Sequence, residues 1–207
     1  MNNVAYSEHR RKAEHIAPIA FAFLLKYLPI WLALVLAVLS VIYGIVGSKL
    51  LIKDTMREDE RLRGYSAGKI AYGAMVLLLI LVFHTREQMW IVAGAWSIMA
   101  FGDAFANLFG VSYGEDKLPW NRDKSWIGTL AFVFFGILGS VMLIGWFTWL
   151  WPVPGMPLLN GGQIWTIAVV ASLCCAIVES LPLPVVDNIT VPACGALVIW
   201  LLQLKLA

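Results

Sequence analysis

Asp103 and Asn107 stand four residues apart in an otherwise apolar segment, Ala100-Phe-Gly-Asp-Ala-Phe-Ala-Asn-Leu-Phe-Gly110. On a helix they share one face. A carboxylate beside an amide oxygen suits a hard cation such as Mg²⁺, which takes a few carboxylates and completes its shell with substrate phosphates. An ionisable group inside an apolar span is costly and marks a functional candidate. The same residues also read as a helix contact, with Gly102, Ala104, Ala106 and Gly110 giving close approach around one hydrogen-bonded Asp. The next segment carries Lys117, Arg122 and Lys124, and Ser125 precedes a helix start that includes Trp126 and Gly128. Backbone N–H groups at a helix start attract anions, and neighbouring Lys and Arg reinforce them. Phosphate binding is the chemistry this predicts; a basic flank of a membrane span is the other reading.

A third group lies near the carboxyl end, in Glu179-Ser-Leu-Pro-Leu-Pro-Val-Val-Asp-Asn-Ile-Thr-Val-Pro192. Glu179 closes one apolar stretch and Asp187-Asn188 opens the next. The prolines stiffen a short turn able to bring both carboxylates to one face. Asp187 as a helix cap and Glu179 as an interface residue are the alternatives. A fourth group, Arg11, Lys12 and His15, makes one positive, proton-capable patch if helical, or a basic membrane flank. A fifth, Arg57 to Arg63, has mixed charges at helical spacing, as on a solvated helix face; Arg61 and Arg63 are candidate phosphate contacts.

The elements that must position these groups follow from composition. The chain has 207 residues, 60% of them hydrophobic and 14% charged, with a mean hydropathy of +0.79. Soluble domains carry about 25% charged residues. Apolar stretches run approximately over Ile16–Leu28, Ile30–Gly47, Ala67–Phe83, Met89–Phe109, Trp126–Leu150, Gln163–Leu181 and Ile189–Leu204. A membrane-crossing helix needs about 20 apolar residues. The expectation is therefore an all-α, polytopic membrane helix bundle of six to seven transmembrane helices, the first stretch being short and interrupted by Lys26 and Pro29. With seven spans, all Lys and Arg except Lys26, Arg86 and Lys205 fall on one side. That predicts a cytoplasmic amino terminus. The basic amino-terminal flank reads as leading into a retained first span rather than a cleaved signal. Cys174, Cys175 and Cys194 sit in apolar stretches and read as buried thiols.

In this order, the segments resemble the phytol, farnesol and dolichol kinase family, the CTP-dependent polyprenol kinases. More distantly they are similar to CDP-diacylglycerol synthases. The resemblance rests on Arg11-Lys12-Ala-Glu-His15; on Gly102-Asp103-Ala104 with Asn107 and Gly110; on Lys117-Leu-Pro119, Asn121, Lys124-Ser125-Trp126 and Gly128-Thr129; and on Glu179-Ser-Leu-Pro182 with Asp187-Asn188-Ile-Thr-Val-Pro192. Two positions depart from it. Val111-Ser112 stand where the family has basic residues, and Val186 where a second Asp often precedes the Asp-Asn pair.

The resemblance implies one membrane-embedded kinase domain over residues 1–207. Its activity would be transfer of the terminal phosphate of CTP, with Mg²⁺, to phytol, geranylgeraniol or farnesol at the cytoplasmic face of a bacterial or thylakoid membrane. It makes Asp103, Glu179 and Asp187 the catalytic candidates, with Asp103 and Asp187 on the metal. Lys117, Arg122, Lys124, Ser125, Asn107, Asn188, Lys12 and His15 are the nucleotide-binding candidates. The partners expected are a prenyl alcohol, a nucleoside triphosphate and the bilayer, with no nucleic acid. A cytidylyltransferase forming a CDP-lipid could use the same parts. A small transporter is the rival outside enzymes, although no internal repeat is visible.

Overall fold

The computed structural model describes residues 8–47, 55–56, 58–150 and 154–206. Helices dominate it, as the apolar periodicity requires where backbone groups must be satisfied within each segment. Two short helices, α1 (Glu8–Ile16) and α2 (Ile19–Leu24), are divided at Pro18, which has no N–H to continue a helix. Pro29 then starts α3 (Ile30–Ile42), which runs on into a wider π-turn over Tyr43–Gly47. A surface helix α4 (Glu58–Arg63) carries the mixed charges. The helix α5 (Ala67–Val82) is capped by Ser66, whose hydroxyl accepts from Lys69 N.

The central pass comprises α6 (Met89–Ser97), a π-helical segment Ile98–Asp103 and α7 (Ala104–Tyr113). Next comes an antiparallel hairpin of β1 (Lys117–Leu118) and β2 (Asn121–Ser125), where the sequence suggests only a loop. Leu118 is fully buried and anchors it. Ser125 caps α8 (Trp126–Thr148), its hydroxyl accepting from Gly128 N at 3.2 Å. Asn160 and Gln163 form a reciprocal capping box at the start of α9 (Gly161–Ser180). The last helix is α10 (Asp187–Leu206).

Five helical segments are long and apolar enough to cross a membrane: Ile30–Gly47, Arg86–Tyr113, Trp126–Thr148, Gly161–Ser180 and Asp187–Lys205. The chain is an integral membrane protein. Two shorter apolar helices, Ala13–Leu24 and Ala67–Val82, complete the expected set. The 16 residues of α5 reach about 24 Å at 1.5 Å per residue, a little short of the roughly 30 Å hydrocarbon core. The broken pass α1–α2 nevertheless joins the same two levels as its neighbours. His15 near its start lies beside Asp103, whereas Lys26 beyond its end donates to the Trp146 carbonyl at 2.8 Å and to that of Leu150. Lys26 thereby satisfies carbonyls left open at the far end of α8, where a cation is favoured.

The Arg86–Tyr113 pass is 83% buried over its most apolar window, and Ile30–Gly47 only 17%. The first is the core around which the others pack; the second faces outward. Small residues let α7 and α8 approach: a Cβ on Gly128 would lie 3.0 Å from the Ala106 carbonyl oxygen. Such contacts hold membrane helices together where lipid is as apolar as the core.

Candidate active site

The chain places Asp103, Glu179 and Asp187 on three different helices, yet one oxygen from each lies within 4.8 Å of the others. Asp103 ends the π-helical segment, where the widened turn departs from regular α-geometry; such turns recur at functional sites. Glu179 is buried near the end of α9, and Asp187 opens α10 after the proline turn. Lys124, from β2, donates to Asp187 Oδ2 at 2.8 Å and to Glu179 Oε1. Burial by itself lowers the pKa of this ammonium, but the two carboxylates outweigh that and hold it above the ordinary lysine value. Lys124 thus bridges two of the three carboxylates.

The other Glu179 oxygen, Oε2, is buried with no hydrogen-bond partner among the described residues. A buried carboxylate oxygen left without a donor is costly. Three convergent oxygen donors with one buried oxygen unsatisfied fit a hard divalent cation.

These residues lie in a polar cleft of ≈ 940 Å³. Asn107, Lys117, Lys124 and Ser125 also line it, so most of the expected nucleotide-binding residues are gathered here. The hairpin is fixed over the cleft by α9: Trp120 Nε1 donates to Ser180 Oγ at 3.3 Å, and Asn121 Nδ2 to the Ser180 carbonyl at 3.1 Å. Two expected residues, Arg122 and His15, do not line the cleft. Arg122 is exposed and does not line the cleft. The hairpin register slips between Lys117 and Leu118, which breaks the simple alternation of β2. Ser125 spends its hydroxyl as the α8 cap. His15 lines a different cavity, with Nε2 3.5 Å from Asp103 Oδ2. Lys12 belongs to α1, but its side chain lies outside the described residues. Arg61 donates to the Met56 carbonyl, and neither it nor Arg63 lines the cleft.

The second cavity, ≈ 440 Å³, is walled mainly by apolar side chains of α2, α3 and α5, among them Phe21, Leu25, Leu36, Val76 and Ile80. Its mouth is polar. Glu14 accepts from Tyr43 Oη at 2.6 Å and from Lys69 Nζ at 2.5 Å, and Lys69 also donates to Thr55 Oγ1. Trp96 Nε1 donates to Tyr72 Oη, which itself donates to the His15 carbonyl. Sequence reasoning passed over Glu14, Lys69, Tyr72 and Trp96. The available signal was Glu14 and Lys69, ionisable groups at the edges of apolar stretches.

The cavities meet. Arg11, Gly68, Asp103 and Asn188 line both. Asn188 Nδ2 donates to the Gly68 carbonyl at 2.8 Å, tying α10 to α5 at the junction. An apolar cavity therefore opens at one level onto a polar cleft holding a carboxylate cluster and cations.

Fold and site together define a polytopic membrane protein in which an apolar cavity joins a polar, carboxylate-lined cleft. A chloroplastic probable phytol kinase of Triticum aestivum is 34% identical over 161 residues, covering 77% of this chain and 51% of that protein. Phytol kinase 1 of Arabidopsis thaliana is 31% identical over 180 residues, 85% of this chain and 57% of that protein. The farnesol kinase of the same plant is 28% identical over 161 residues, 77% and 50% of the two chains. The chain spans about half the length of the curated relatives it matches. No family model and no solved structure matches it. The chain is thus similar to phytol and farnesol kinases over about half of their length.

Proposed function

We propose that this chain transfers the terminal phosphate of CTP to the hydroxyl of a long-chain isoprenoid alcohol, of the phytol, geranylgeraniol or farnesol class, at the cytoplasmic face of the membrane. The observation that carries this reading is the junction: an apolar cavity and a polar cleft share Asp103, beside Glu179, Asp187 and Lys124. A prenyl tail suits the first cavity and a nucleoside triphosphate the second. The named relatives support the same reaction class.

Phosphoryl transfer is mostly positioning and neutralisation of charge. In this reading Asp103 and Asp187, with Glu179 adjoining, hold Mg²⁺, which when bound neutralises phosphate oxygens. Lys124 and Lys117 supply positive charge toward the nucleotide, and Asn107 orients water or phosphate. The alcohol oxygen forms a bond to the terminal phosphorus as the bond from that phosphorus to its bridging oxygen breaks. CDP leaves, and Glu179 receives the hydroxyl proton. The polar mouth around Glu14, Tyr72 and His15 holds the hydroxyl end near Asp103. Arg11 of α1 lies at the cleft, and the Lys and Arg bias supports reading that side as cytoplasmic.

The test is a product assay on detergent-purified protein with Mg²⁺, γ-labelled CTP and a panel of phytol, geranylgeraniol, farnesol and dolichol. Label in a prenyl monophosphate is the expected result. Release of labelled pyrophosphate with a lipid phosphate as acceptor, and no label in any alcohol, would replace the kinase by a cytidylyltransferase.

A further inference from the structure

Of the four residues common to both cavities, three carry side chains with obvious chemistry. Gly68 carries none, and its packing does not demand a glycine. It is the second residue of α5, and among the described residues only Gly64 and Gly155 are glycines with positive φ. A Cβ at Gly68 would have a single neighbouring atom within 4 Å, Asn188 Nδ2 at 3.6 Å, an ordinary contact. Gly73, five residues along the same helix, is different: its Cβ would meet Ser40 Oγ at 2.5 Å and Val41 N at 2.9 Å. A Cβ on Gly44 would lie 2.7 Å from Ile70 N. Helix packing therefore requires glycine at 44 and 73 but not at 68. Glycine in a helix costs up to about 1 kcal/mol relative to alanine. The space beside Gly68 is used by the cavities rather than by the core.

We propose that Gly68 is the aperture residue: its missing side chain keeps open the passage through which the hydroxyl end of the lipid enters the polar cleft. This inference deepens the kinase reading and rests on it. Asn188 holds the rim by its bond to the Gly68 carbonyl, and Asp103 and Arg11 complete it. A side chain at position 68 would project toward Asn188 and separate the two reactants without displacing a core atom. Gly68 is a positioning residue in this scheme, since what it contributes is clearance.

The experiment is a graded series, Gly68→Ala, Gly68→Val and Gly68→Leu, purified in detergent beside the wild type. Three quantities are read: kcat and KM for transfer from γ-labelled CTP to geranylgeraniol, CTP affinity, and thermal unfolding. The expected result is a stepwise fall in kcat with side-chain size, on the order of a hundredfold for Leu, with the unfolding temperature held. A purely structural role would instead move unfolding together with the rate. A Leu variant as active as wild type overturns the proposal. If the Leu variant fails to fold, the Ala and Val variants decide: graded loss in folded protein supports the aperture, and unchanged rates overturn it. A wild type that phosphorylates no prenyl alcohol overturns the kinase reading and the aperture with it. An active wild type beside an active Leu variant overturns the aperture alone.

Discussion

The two cavities that meet at Asp103 are built on opposite plans. The polar cleft is assembled from ends: the end of a π-turn, a hairpin, the start of α8, and the proline turn between α9 and α10. The apolar cavity is assembled from the middles of helices, between α2, α3 and α5. Helix ends expose unsatisfied backbone groups and tolerate charge, so they suit a ligand of changing charge. Helix middles offer only side-chain surface, so they suit a ligand held by shape. In the proposed kinase reading, reactants of opposite solubility would then meet without either entering the other's environment.

The sharpest way to break this division is to remove the residue both sides share. Asp103→Ala should lower alcohol phosphorylation roughly a thousandfold, with the protein still inserted and folded, as measured by the label assay and size-exclusion profile. Substantial retained activity would sever the two cavities functionally.

Lys124→Met strikes the polar side alone. It leaves the buried Glu179 and half-buried Asp187 carboxylates facing each other, and should cost about 2 kcal/mol of stability, discounted because Lys124 and Asp187 are partly exposed. Turnover should fall on the order of a hundredfold. Its pH dependence has a definite sign. Because Glu179 and Asp187 hold the folded pKa of Lys124 above the ordinary value of 10.5, the stabilisation is complete below that value and is lost as pH rises through the folded one. Thermal unfolding should therefore show a constant wild-type advantage over Lys124→Met at moderate pH, narrowing only above 10.5.

Ala37→Phe strikes the apolar side alone. Ala37 is buried on α3 and lines the cavity. The larger side chain should raise KM for geranylgeraniol about tenfold, with about 1–3 kcal/mol of strain, and shift preference toward shorter alcohols. CTP affinity should not change; a parallel loss of CTP binding would show the cavities to be one site. The smallest effect belongs to Arg122→Ala. Since Arg122 is exposed and outside the cleft, kcat/KM should fall less than about twofold, within the range of ordinary surface substitutions. Lys117→Ala, in the cleft, should cost more in the same assay.

The contrast also explains what the sequence disclosed. Charges are conspicuous in a chain only 14% charged, so Asp103, Glu179, Asp187 and Lys124 stood out despite coming from distant segments. That Lys124 would bridge two of the carboxylates was not legible, because it depends on the tertiary meeting of β2 with two helices. The hairpin itself escaped notice: β2 reads Asn-Arg-Asp-Lys-Ser, with no apolar alternation to signal a strand. That Arg122 is exposed and outside the cleft is illegible in the sequence for the same reason. The apolar cavity was the least legible of all. Leu36 lines it while Leu39, three residues on, lines it and is also exposed, and nothing in their identity separates a lipid-facing leucine from a cavity wall. The bundle was read well because span length and composition depend on few residues in particular.

The bond from Lys26 to the far end of α8 has a consequence for substrate choice. Leu25 and Leu28, which flank that lysine, also line the apolar cavity. The cavity is thus pegged, deep in the bundle, by a polar attachment to a neighbouring helix, while its mouth is pegged by Glu14 and Lys69. In the proposed kinase reading, a pocket fastened at two heights would act as a ruler for the alcohol's tail, its length set by where two cations are tied.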